Sequence, residues 1–346
     1  MRRVSPRSLA IFTRQFAVLV DAGLPLVQCL ELLGKDEPAA RLAEAIGQVR
    51  LDVQAGASLA EAMRKRPQAF DAIYVNMIAA GEAGGILDTI LKRLSAFIEK
   101  QARLRSRVRA AMVYPACVLS IALVVVVVIL LKVIPTFALM FDGLGATLPL
   151  PTRVVIWTSE QTIVAGPVVA AAVLAGGFAT RRYYRTAGGS LRMDSWLLRL
   201  PLIGSITRKV AVARFCRTLG TLLSSGVPIL EGLDITGRTA ANAVIERAVR
   251  RARARIERGE SIAAPLRSGG AFPPMVVQMI GAGESAGALD TMLGKIADVY
   301  EDEVDVAVAA LLSTLEPALI VVLGLIVGGI VVSMYLPLFE LVAQLS

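Results

Sequence analysis

The fold is decided by a stretch that the chain contains twice, first as GEAGGILDT over Gly81–Thr89 and then as GESAGALDT over Gly283–Thr291. The second copy begins 202 residues after the first. A match of this length at a fixed distance indicates an internal duplication, and the extent of a duplication has to be established before single elements are assigned.

The match extends outward from this stretch in both directions. Upstream, corresponding residues lie 203 positions apart: Arg14 and Arg217, Gly23 and Gly226, Pro25 and Pro228, Gly56 and Gly259. Downstream, after a one-residue deletion, they lie 202 positions apart: Glu82 and Glu284, Gly85 and Gly287, Pro115 and Pro317, Pro135 and Pro337. The two copies are called repeat 1 and repeat 2 below.

The composition indicates a chain that lies partly in a membrane. Hydrophobic residues make up 55% of the 346 residues, and the mean hydropathy is +0.64. These values are high for a soluble protein and low for a pure membrane bundle. The net charge of +9 suits a surface that faces anionic cytoplasmic lipid, and it would also suit nucleic acid. Histidine is absent from the sequence, so the commonest general base and zinc ligand is missing.

Each repeat has the pattern of a small all-helical domain. In repeat 1, Phe12, Phe16 and Leu19 recur at the spacing of one helix face. Gly23 supplies a left-handed end to that helix, and Pro25 suits the first turn of the next one. We therefore expect a bundle of short helices joined by tight corners.

Three segments are candidates for membrane-spanning helices. The segment 110–134 contains about twenty almost uncharged residues, enough to cross a bilayer, and we expect Pro135 to end it. A weaker span is expected over 161–180, with Pro167 inside it. The third, over 316–336, is the counterpart of the first in repeat 2.

The flanking charges predict the topology. Basic residues crowd before the first span, from Lys100 to Arg109, and after the second, from Arg181 to Arg185, whereas the loop between the spans is poor in Lys and Arg. The positive-inside rule therefore places the N-terminus and both repeats in the cytoplasm and the C-terminus in the periplasm. The duplication requires the same topology, because the unpaired second span has to return the chain to the cytoplasm.

These observations predict an all-α membrane protein with two duplicated cytoplasmic helical-bundle domains and three transmembrane helices. The expected boundaries are a cytoplasmic helical domain over 1–109, a transmembrane helix over 110–134, a periplasmic loop over 135–160, a second transmembrane helix over 161–180, a cytoplasmic linker over 181–212, a second cytoplasmic helical domain over 213–315, a third transmembrane helix over 316–336 and a periplasmic tail over 337–346.

The repeated corner has two interpretations. Glu82 and Glu284, with Asp88 and Asp290 nearby, are suitable hard ligands for a cation. Alternatively, the glycines supply positive φ at a structural corner, and the carboxylates bind free amides at the N-terminus of the next helix. We favour the structural interpretation, and cation binding stays open. The candidate structural turns and partner contacts are Gly23, Pro25, Gly81, Glu82, Gly85, Gly226, Pro228, Gly283, Glu284 and Gly287.

The sequence carries no catalytic or cofactor signature. Gly34-Lys35 and Gly294-Lys295 lack the other residues of a nucleotide-binding P-loop, and the GxSxG and HExxH motifs are absent. We therefore expect neither an enzyme nor a bound cofactor. The arginine-rich segment 247–258 is interleaved with Ala and Glu and has no aromatic platform. A solvated helix face, docked on a partner or on lipid headgroups, is favoured there over nucleic-acid binding.

Together these motifs resemble the type II secretion F family. Each repeat has Gly-x-Pro, then Ala-Gly-Glu-x-x-Gly-x-Leu, then a proline and an apolar span. Three further motifs fit: Phe12-Thr13-Arg14-Gln15, the loop residues Phe141, Gly145, Leu148, Pro149 and Thr152, and Leu200, Pro201 and Gly204 before repeat 2. The resemblance covers nearly the whole chain. Many family members carry a further N-terminal segment before the first domain, whereas this sequence begins almost directly at that domain.

The resemblance implies a non-enzymatic inner-membrane platform protein of a type II secretion system or type IV pilus. Such proteins couple a hexameric cytoplasmic ATPase to the assembly of pilins or pseudopilins and to protein secretion. The implied partners are that ATPase, the pilins or pseudopilins, other inner-membrane assembly components, membrane lipids and further copies of the chain, without nucleic acid. Arg14 and Arg217 are candidates to face the ATPase or lipid. The implied location is the bacterial inner membrane, crossed several times.

A small transporter built from parallel repeats is the alternative. Transporters usually place polar or broken helices at the bilayer midplane, whereas the first and third spans consist largely of Val, Ile and Leu. A membrane-tethered nucleic-acid binder is a third hypothesis, and it predicts salt-sensitive DNA binding by the second domain. The sequence leaves open the pilus or secretion subtype, the secreted substrate and the oligomeric state.

Overall fold

The computed structural model describes residues 4–143, 149–184, 186–201, 203–240 and 242–345, and every regular element in these ranges is a helix. The helices are α1 (Pro6–Asp21), α2 (Leu26–Asp36), α3 (Ala40–Gln54), α4 (Leu59–Arg64), α5 (Ala72–Gly84), α6 (Leu87–Val128), a π-helical turn (Ile129–Val133), α7 (Ile134–Gly143), α8 (Leu150–Tyr184), α9 (Ala187–Leu197), α10 (Ile203–Ser224), α11 (Ile229–Thr239), α12 (Ala243–Ile256), α13 (Ala263–Ser268), α14 (Pro274–Ser285) and α15 (Leu289–Leu345). Outside the described residues lie Gly145, Leu148 and Arg185, and also the side chains of Arg109, Phe141 and Pro167.

The chain divides into two compact units, and the first unit holds the helical parts of both repeats. It consists of Met1–Arg107 together with Leu191–Val306. Helices α1–α5 and the start of α6 come from repeat 1, and α10–α14 and the start of α15 follow in the same order in repeat 2.

Tight corners join the first two helices of each repeat. Gly23 adopts a φ of 81° and Gly226 a φ of 83°, values that a residue with a Cβ rarely takes. The residue after each glycine donates its amide to the carbonyl five positions earlier, at 3.2 Å in repeat 1 and 3.0 Å in repeat 2. Pro25 and Pro228 then directly precede α2 and α11. These residues therefore lie where the sequence predicts one helix to end and the next to begin.

Each repeat buries a corresponding aromatic pair in its core. The ring centroids of Phe12 and Phe70 lie 6.2 Å apart in repeat 1, and those of Phe215 and Phe272 lie 4.7 Å apart in repeat 2. In both repeats the pair joins the first helix to the segment just before the fifth.

The second unit, Val108–Ser190 and Ala307–Ser346, contains the apolar parts of the long helices. Among the described residues, two helices are long and apolar enough to cross a membrane: Leu87–Met140 and Leu289–Pro337. Their most apolar windows reach mean hydropathies of 3.2 and 2.7, and nearly all of each window is exposed. These two helices carry the first and third predicted spans.

The first of these helices does not end at Pro135, contrary to expectation. A π-helical turn over Ile129–Val133 precedes this proline, and the helix then continues to Gly143. Proline lacks an amide hydrogen, and its ring crowds the carbonyl four residues earlier. The wider π turn accommodates both effects without ending the helix. The Ser159 hydroxyl donates to the carbonyl of Leu130 within this turn.

The segments expected to form the loop, the linker and the tail also contain helix. α8 begins at Leu150, α9 lies within the expected linker, and α15 continues past Pro337 to Leu345. Thr152, at the start of α8, donates a hydrogen bond to the carbonyl of Ser333 in α15. The segment 161–180 lies within α8, and its role as a second span stays a prediction.

Candidate functional site

Glu82 caps a neighbouring helix in repeat 1. Its carboxylate, near the end of α5, accepts hydrogen bonds from the amides of Leu59 at 2.6 Å and Ala60 at 2.9 Å, in the first turn of α4. The Ser58 hydroxyl accepts from the amide of Glu61 in the same turn at 3.1 Å. The first amides of a helix have no partner within the helix, and that end favours negative charge. The two side chains therefore satisfy three of these amides.

Glu284 makes the corresponding contact in repeat 2. It accepts from the amides of Ile262 at 2.8 Å and Ala263 at 3.4 Å, at the start of α13. The residue before α13 provides no side-chain cap, so Glu284 supplies it. The sequence analysis assigned these bonds to the helix that follows each corner. The structure shows them instead at the N-termini of α4 and α13, which precede the helices that carry the glutamates. The reason is that α5 packs against α4, and α14 against α13, so the end of one helix reaches the start of its neighbour.

Gly81 and Gly283 allow the helices at each corner to approach closely. A Cβ on Gly81 would lie 3.0 Å from the Cβ of Ile90 in α6, and one on Gly283 would lie 2.9 Å from the Cβ of Met292 in α15. Such separations are shorter than ordinary contacts between carbon atoms. A side chain at either position would therefore push apart the helices that hold the glutamate cap.

The remaining residues of the corner do not add ligands around the glutamates. Gly85 and Gly287 adopt φ values of 66° and 67° and end the helices before them. Asp88 and Asp290 each accept from the hydroxyl of the threonine that follows, at 3.2 and 3.4 Å. Within the described part of the chain, no three Cys, Asp or Glu side chains are grouped to hold a metal ion. Cation binding at the corner therefore stays a prediction.

Arg14 and Arg217 form corresponding ion pairs but differ in burial. The Arg14 Nε lies 3.5 Å from the Glu99 carboxylate, and its side chain is 71% exposed. The Arg217 Nε lies 2.9 Å from Glu301, the counterpart of Glu99. Arg217 also pairs with Asp298, and its side chain is only 13% exposed.

Asp298 accounts for this difference, because its counterpart in repeat 1 is Ala96. It binds Arg217 and also Lys100 of repeat 1, whose Nζ lies 2.9 Å away. Burial alone would raise the pKa of Asp298, but the hydrogen bonds from Lys100 and Arg217 outweigh it and lower the pKa. Two carboxylates therefore hold the Arg217 side chain largely inside repeat 2, and a contact of Arg217 with the ATPase or lipid stays a prediction. Arg14 remains exposed.

Repeat 2 has a basic helix face that repeat 1 lacks. Arg247 and Arg251 lie one turn apart on α12 and are exposed. Their counterparts on α3 are Glu44 and Gln48. Other arginines of this region form ion pairs: Arg250 with Glu246, Arg253 with Glu257 and Arg255 with Glu260. Sequence reasoning treated all these arginines alike, and the contacts across helix turns and loops distinguish those in ion pairs from Arg247 and Arg251.

The fold and these contacts define an all-helical protein with two candidate membrane-spanning helices, in which the repeated glutamates cap helices. The family described as type II secretion system (T2SS), protein F, matches the chain twice, over residues 12–135 and 215–337. The chain belongs to this family, as the resemblance of its motifs predicts.

Several curated relatives match nearly the whole chain. It is 46% identical to the type IV pilus assembly protein PilC of Myxococcus xanthus, over 99% of this chain and 82% of that protein. It is also 46% identical to the type IV pilus assembly protein PilC of Thermus thermophilus, over 98% of this chain and 84% of that protein. The identity to the type II secretion system protein F of Pseudomonas aeruginosa is 34%, over 98% of this chain and 84% of that protein.

Proposed function

We propose that the chain is a non-enzymatic inner-membrane platform protein for type IV pilus assembly. The double match to the secretion protein F family supports the class of protein. The observation that carries the pilus assignment is the identity of 46% to two proteins named PilC, against 34% to a type II secretion system protein F. The proposed role requires no reactive side chain, and it fits the use of the repeated glutamates as helix caps.

The proposed arrangement has duplicated helical domains over 1–109 and 213–315 on the cytoplasmic side. Three spans, over 110–134, 161–180 and 316–336, anchor them and leave the C-terminus in the periplasm. The corresponding caps and corners of the two repeats support the duplication. The two apolar helices support the first and third spans. The flanking charges support the second span, which returns the chain to the cytoplasm.

The proposed partners are the hexameric cytoplasmic ATPase and the pilins. We assign the ATPase contact to α12, where Arg247 and Arg251 are exposed and form no ion pair within the described part of the chain. An acidic ATPase surface would complement this face, and complementary charge raises both the rate and the specificity of association. Of the two arginines that the sequence suggested for this contact, Arg217 is already held by two carboxylates, whereas Arg14 is exposed.

Deletion and restoration of the gene test this function. A deletion strain should make pilin but assemble no surface pili, and the wild-type chain should restore them. The double variant Arg247→Glu/Arg251→Glu should assemble no surface pili, and it should no longer co-purify with the ATPase. Glu44→Lys, a charge change at the counterpart of Arg247, serves as the matched control and should retain both. Surface pili in the deletion strain would contradict the proposal, and loss of exoprotein secretion with intact pili would assign the chain to the secretion branch.

A further inference from the structure

One face of α6 in repeat 1 is covered by repeat 2. Three polar contacts define this docking: Arg93 donates to the Ser224 carbonyl, Lys100 pairs with Asp298, and Arg107 pairs with Asp305. Phe97 and Leu104 lie on the same stripe of α6 and are only 5% and 7% exposed. Basic residues and buried apolar residues therefore alternate along the stripe.

Repeat 2 provides the apolar surface that receives this stripe. Leu222, Val227 and Ile235 are buried, and they belong to the same hydrophobic cluster as Phe97 and the core of repeat 1. These residues come from the end of α10, the corner after it and α11. The contact between the repeats thus has a docking side, on α6, and a receiving side, on α10, α11 and the start of α15.

Repeat 2 has its own copy of the docking stripe, on α15, and that copy is uncovered. The counterparts of Arg93, Phe97, Lys100 and Leu104 are, in order, Lys295, Val299, Asp302 and Val306. Val299 is 46% exposed and Val306 is 70% exposed. Lys295 and Asp302 are also exposed. Exposed valines flanked by charges on one helix face are typical of a protein contact surface.

Part of the corresponding receiving surface in repeat 1 is open, although Leu19 and Leu24, the counterparts of Leu222 and Val227, are partly buried against the core of repeat 1. Leu32, the counterpart of Ile235, is 44% exposed, whereas Ile235 is 5% exposed. A surface depression between α1 and α6 is lined by Arg14, Val18 and Ala96 among others. Each chain therefore leaves one docking stripe and part of one receiving surface exposed.

We propose that α15 of one copy docks on the face formed by α1, α2 and α6 of a second copy, as α6 docks on repeat 2 within a chain. The occupant is identified by the chain itself, because the equivalent face of repeat 2 is covered by the equivalent helix of repeat 1. The contact is heterologous, since its two sides are different surfaces. It concerns contact between copies and does not depend on the proposed pilus function.

The charges at the proposed contact are complementary. Their arrangement is the reverse of that within a chain, because the acidic residue lies on the docking stripe and the basic residue on the receiving surface. Within a chain, Lys100 meets Asp298, which also binds Arg217. Between copies, Asp302 takes the place of Lys100. Asp302 meets Arg14, the exposed counterpart of Arg217. Unlike Arg217, Arg14 lacks a second carboxylate. The carboxylate missing from repeat 1 is thus supplied by the second copy.

A second pair supports the same register. Arg93 donates to the carbonyl of Ser224 within a chain. Its counterpart, Lys295, would lie near Asp21, the counterpart of Ser224 in repeat 1. Asp21 already pairs with Lys92 at 2.6 Å, and its side chain is half exposed, so one face of its carboxylate remains accessible to Lys295.

Cross-linking in membranes tests the contact. Two differently tagged full-length copies are expressed together in a Cys117→Ser background, because Cys117 is exposed whereas Cys29 and Cys216 are buried. One copy carries Ala96→Cys and the other Asp302→Cys. A short bismaleimide should join the two tags. Replacing Asp302→Cys with Arg251→Cys, on the exposed face of α12, should give no joined product.

The contact within the chain provides the positive control. Lys100→Cys and Asp298→Cys in a single chain should be joined by the same reagent, since their wild-type side chains form an ion pair. Reaction of this pair without a joined product from Ala96→Cys and Asp302→Cys would overturn the proposal.

A charge exchange tests the register. Asp302→Arg should reduce co-precipitation of the two tags about tenfold, because it places two arginines together. Arg14→Asp combined with Asp302→Arg should restore it to within about twofold. Val306→Asp, at an exposed position, should cause the same loss as Asp302→Arg without disturbing the Lys100→Cys/Asp298→Cys cross-link within the chain. Unchanged co-precipitation with Asp302→Arg and Val306→Asp, or no restoration by the exchange, would overturn the proposal.

Discussion

Repeat 1 and repeat 2 use the same corners but present different faces. The glycines, prolines and glutamates that end and cap helices occupy corresponding positions and make corresponding hydrogen bonds. The faces have diverged: Ala96 corresponds to Asp298, and Glu44 corresponds to Arg247. Both repeats require the same backbone geometry at their corners, whereas corresponding surfaces of the two repeats contact different neighbours. The comparison therefore separates residues that determine the fold from residues that determine contacts.

The cores differ in one polar pair. In repeat 1 the buried hydroxyls of Thr13 and Tyr74 lie 3.1 Å apart, and Thr13 donates to the carbonyl of Leu9. Burial raises the pKa of Tyr74, so the phenol stays protonated and donates to Thr13. The counterparts in repeat 2 are Cys216 and Val276, both buried. The same helix packing is thus compatible with a hydrogen-bonded core or an apolar one.

The largest expected effect comes from breaking the shared corner. Glu82→Ala and Glu284→Ala should each lower the free energy of unfolding of the detergent-solubilised chain by about 3 kcal/mol, since each leaves helix-terminal amides without a charged acceptor. Glutamine keeps one neutral acceptor, so Glu82→Gln and Glu284→Gln should cost about 1 kcal/mol. Denaturant unfolding measures both. A large loss in one repeat and none in the other would contradict the equivalence of the corners.

The second effect should differ between the repeats. Arg217→Ala leaves the carboxylates of Asp298 and Glu301 without their shared partner and should cost about 2 kcal/mol. Arg14→Ala breaks an exposed pair and should cost less than about 1 kcal/mol. The comparison is made by denaturant unfolding, with Arg217→Met as a control that keeps the packing of the side chain. Equal losses at the two positions would show that burial does not distinguish the pairs.

A smaller effect is expected in the core of repeat 1. Tyr74→Phe removes the donor to Thr13 and should lower the free energy of unfolding by about 1 kcal/mol. Thr13→Val combined with Tyr74→Phe should recover part of this loss, because it removes both members of the polar pair. Thermal unfolding of the single and double variants measures the coupling. If the double variant is less stable than the sum of the two single losses predicts, the hydrogen bond between Thr13 and Tyr74 does not contribute as described.

The smallest effect is a pH dependence at the contact between the repeats. The pKa of Asp298 is lowered in the folded chain, so its pairs with Lys100 and Arg217 are complete above the unfolded pKa of about 4 and are lost as the pH falls below it. Because Asp298 is more than half exposed, the contribution should stay below about 1 kcal/mol. Asp298→Asn should remove this part of the acid dependence. An acid unfolding curve unchanged in shape and position would contradict the assignment.

Local chemistry made much of the fold predictable. Gly23 and Gly226 stand at left-handed corners, and Pro25 and Pro228 suit the starts of the following helices. These preferences depend on the residue and its immediate neighbours, so the sequence alone reveals them. The apolar stretches of α6 and α15 were equally predictable, because about twenty uncharged residues in succession match the thickness of a bilayer.

Contacts between distant segments were not predictable in the same way. The direction of the glutamate caps depends on α5 packing beside α4, which no local pattern records. The partners that bury Arg217, Asp298 and Glu301, lie 81 and 84 residues further along the chain, so no local pattern indicates its burial. Pro135 was expected to end a helix, and the π turn that accommodates it has no sequence signature of its own. The sequence analysis did not use the exchange of Ala96 for Asp298, which is a visible signal of the extra carboxylate in repeat 2.

The central claim is that both repeats lie on the same side of the membrane. In a Cys117→Ser background, single cysteines at the exposed positions Leu51, Leu150 and Met275 can be treated with a membrane-impermeant maleimide on spheroplasts. Leu150→Cys should be labelled on intact spheroplasts, and Leu51→Cys and Met275→Cys only after permeabilisation. Labelling of Met275→Cys on intact spheroplasts, with Leu51→Cys protected, would place the repeats on opposite sides and contradict the three-span account.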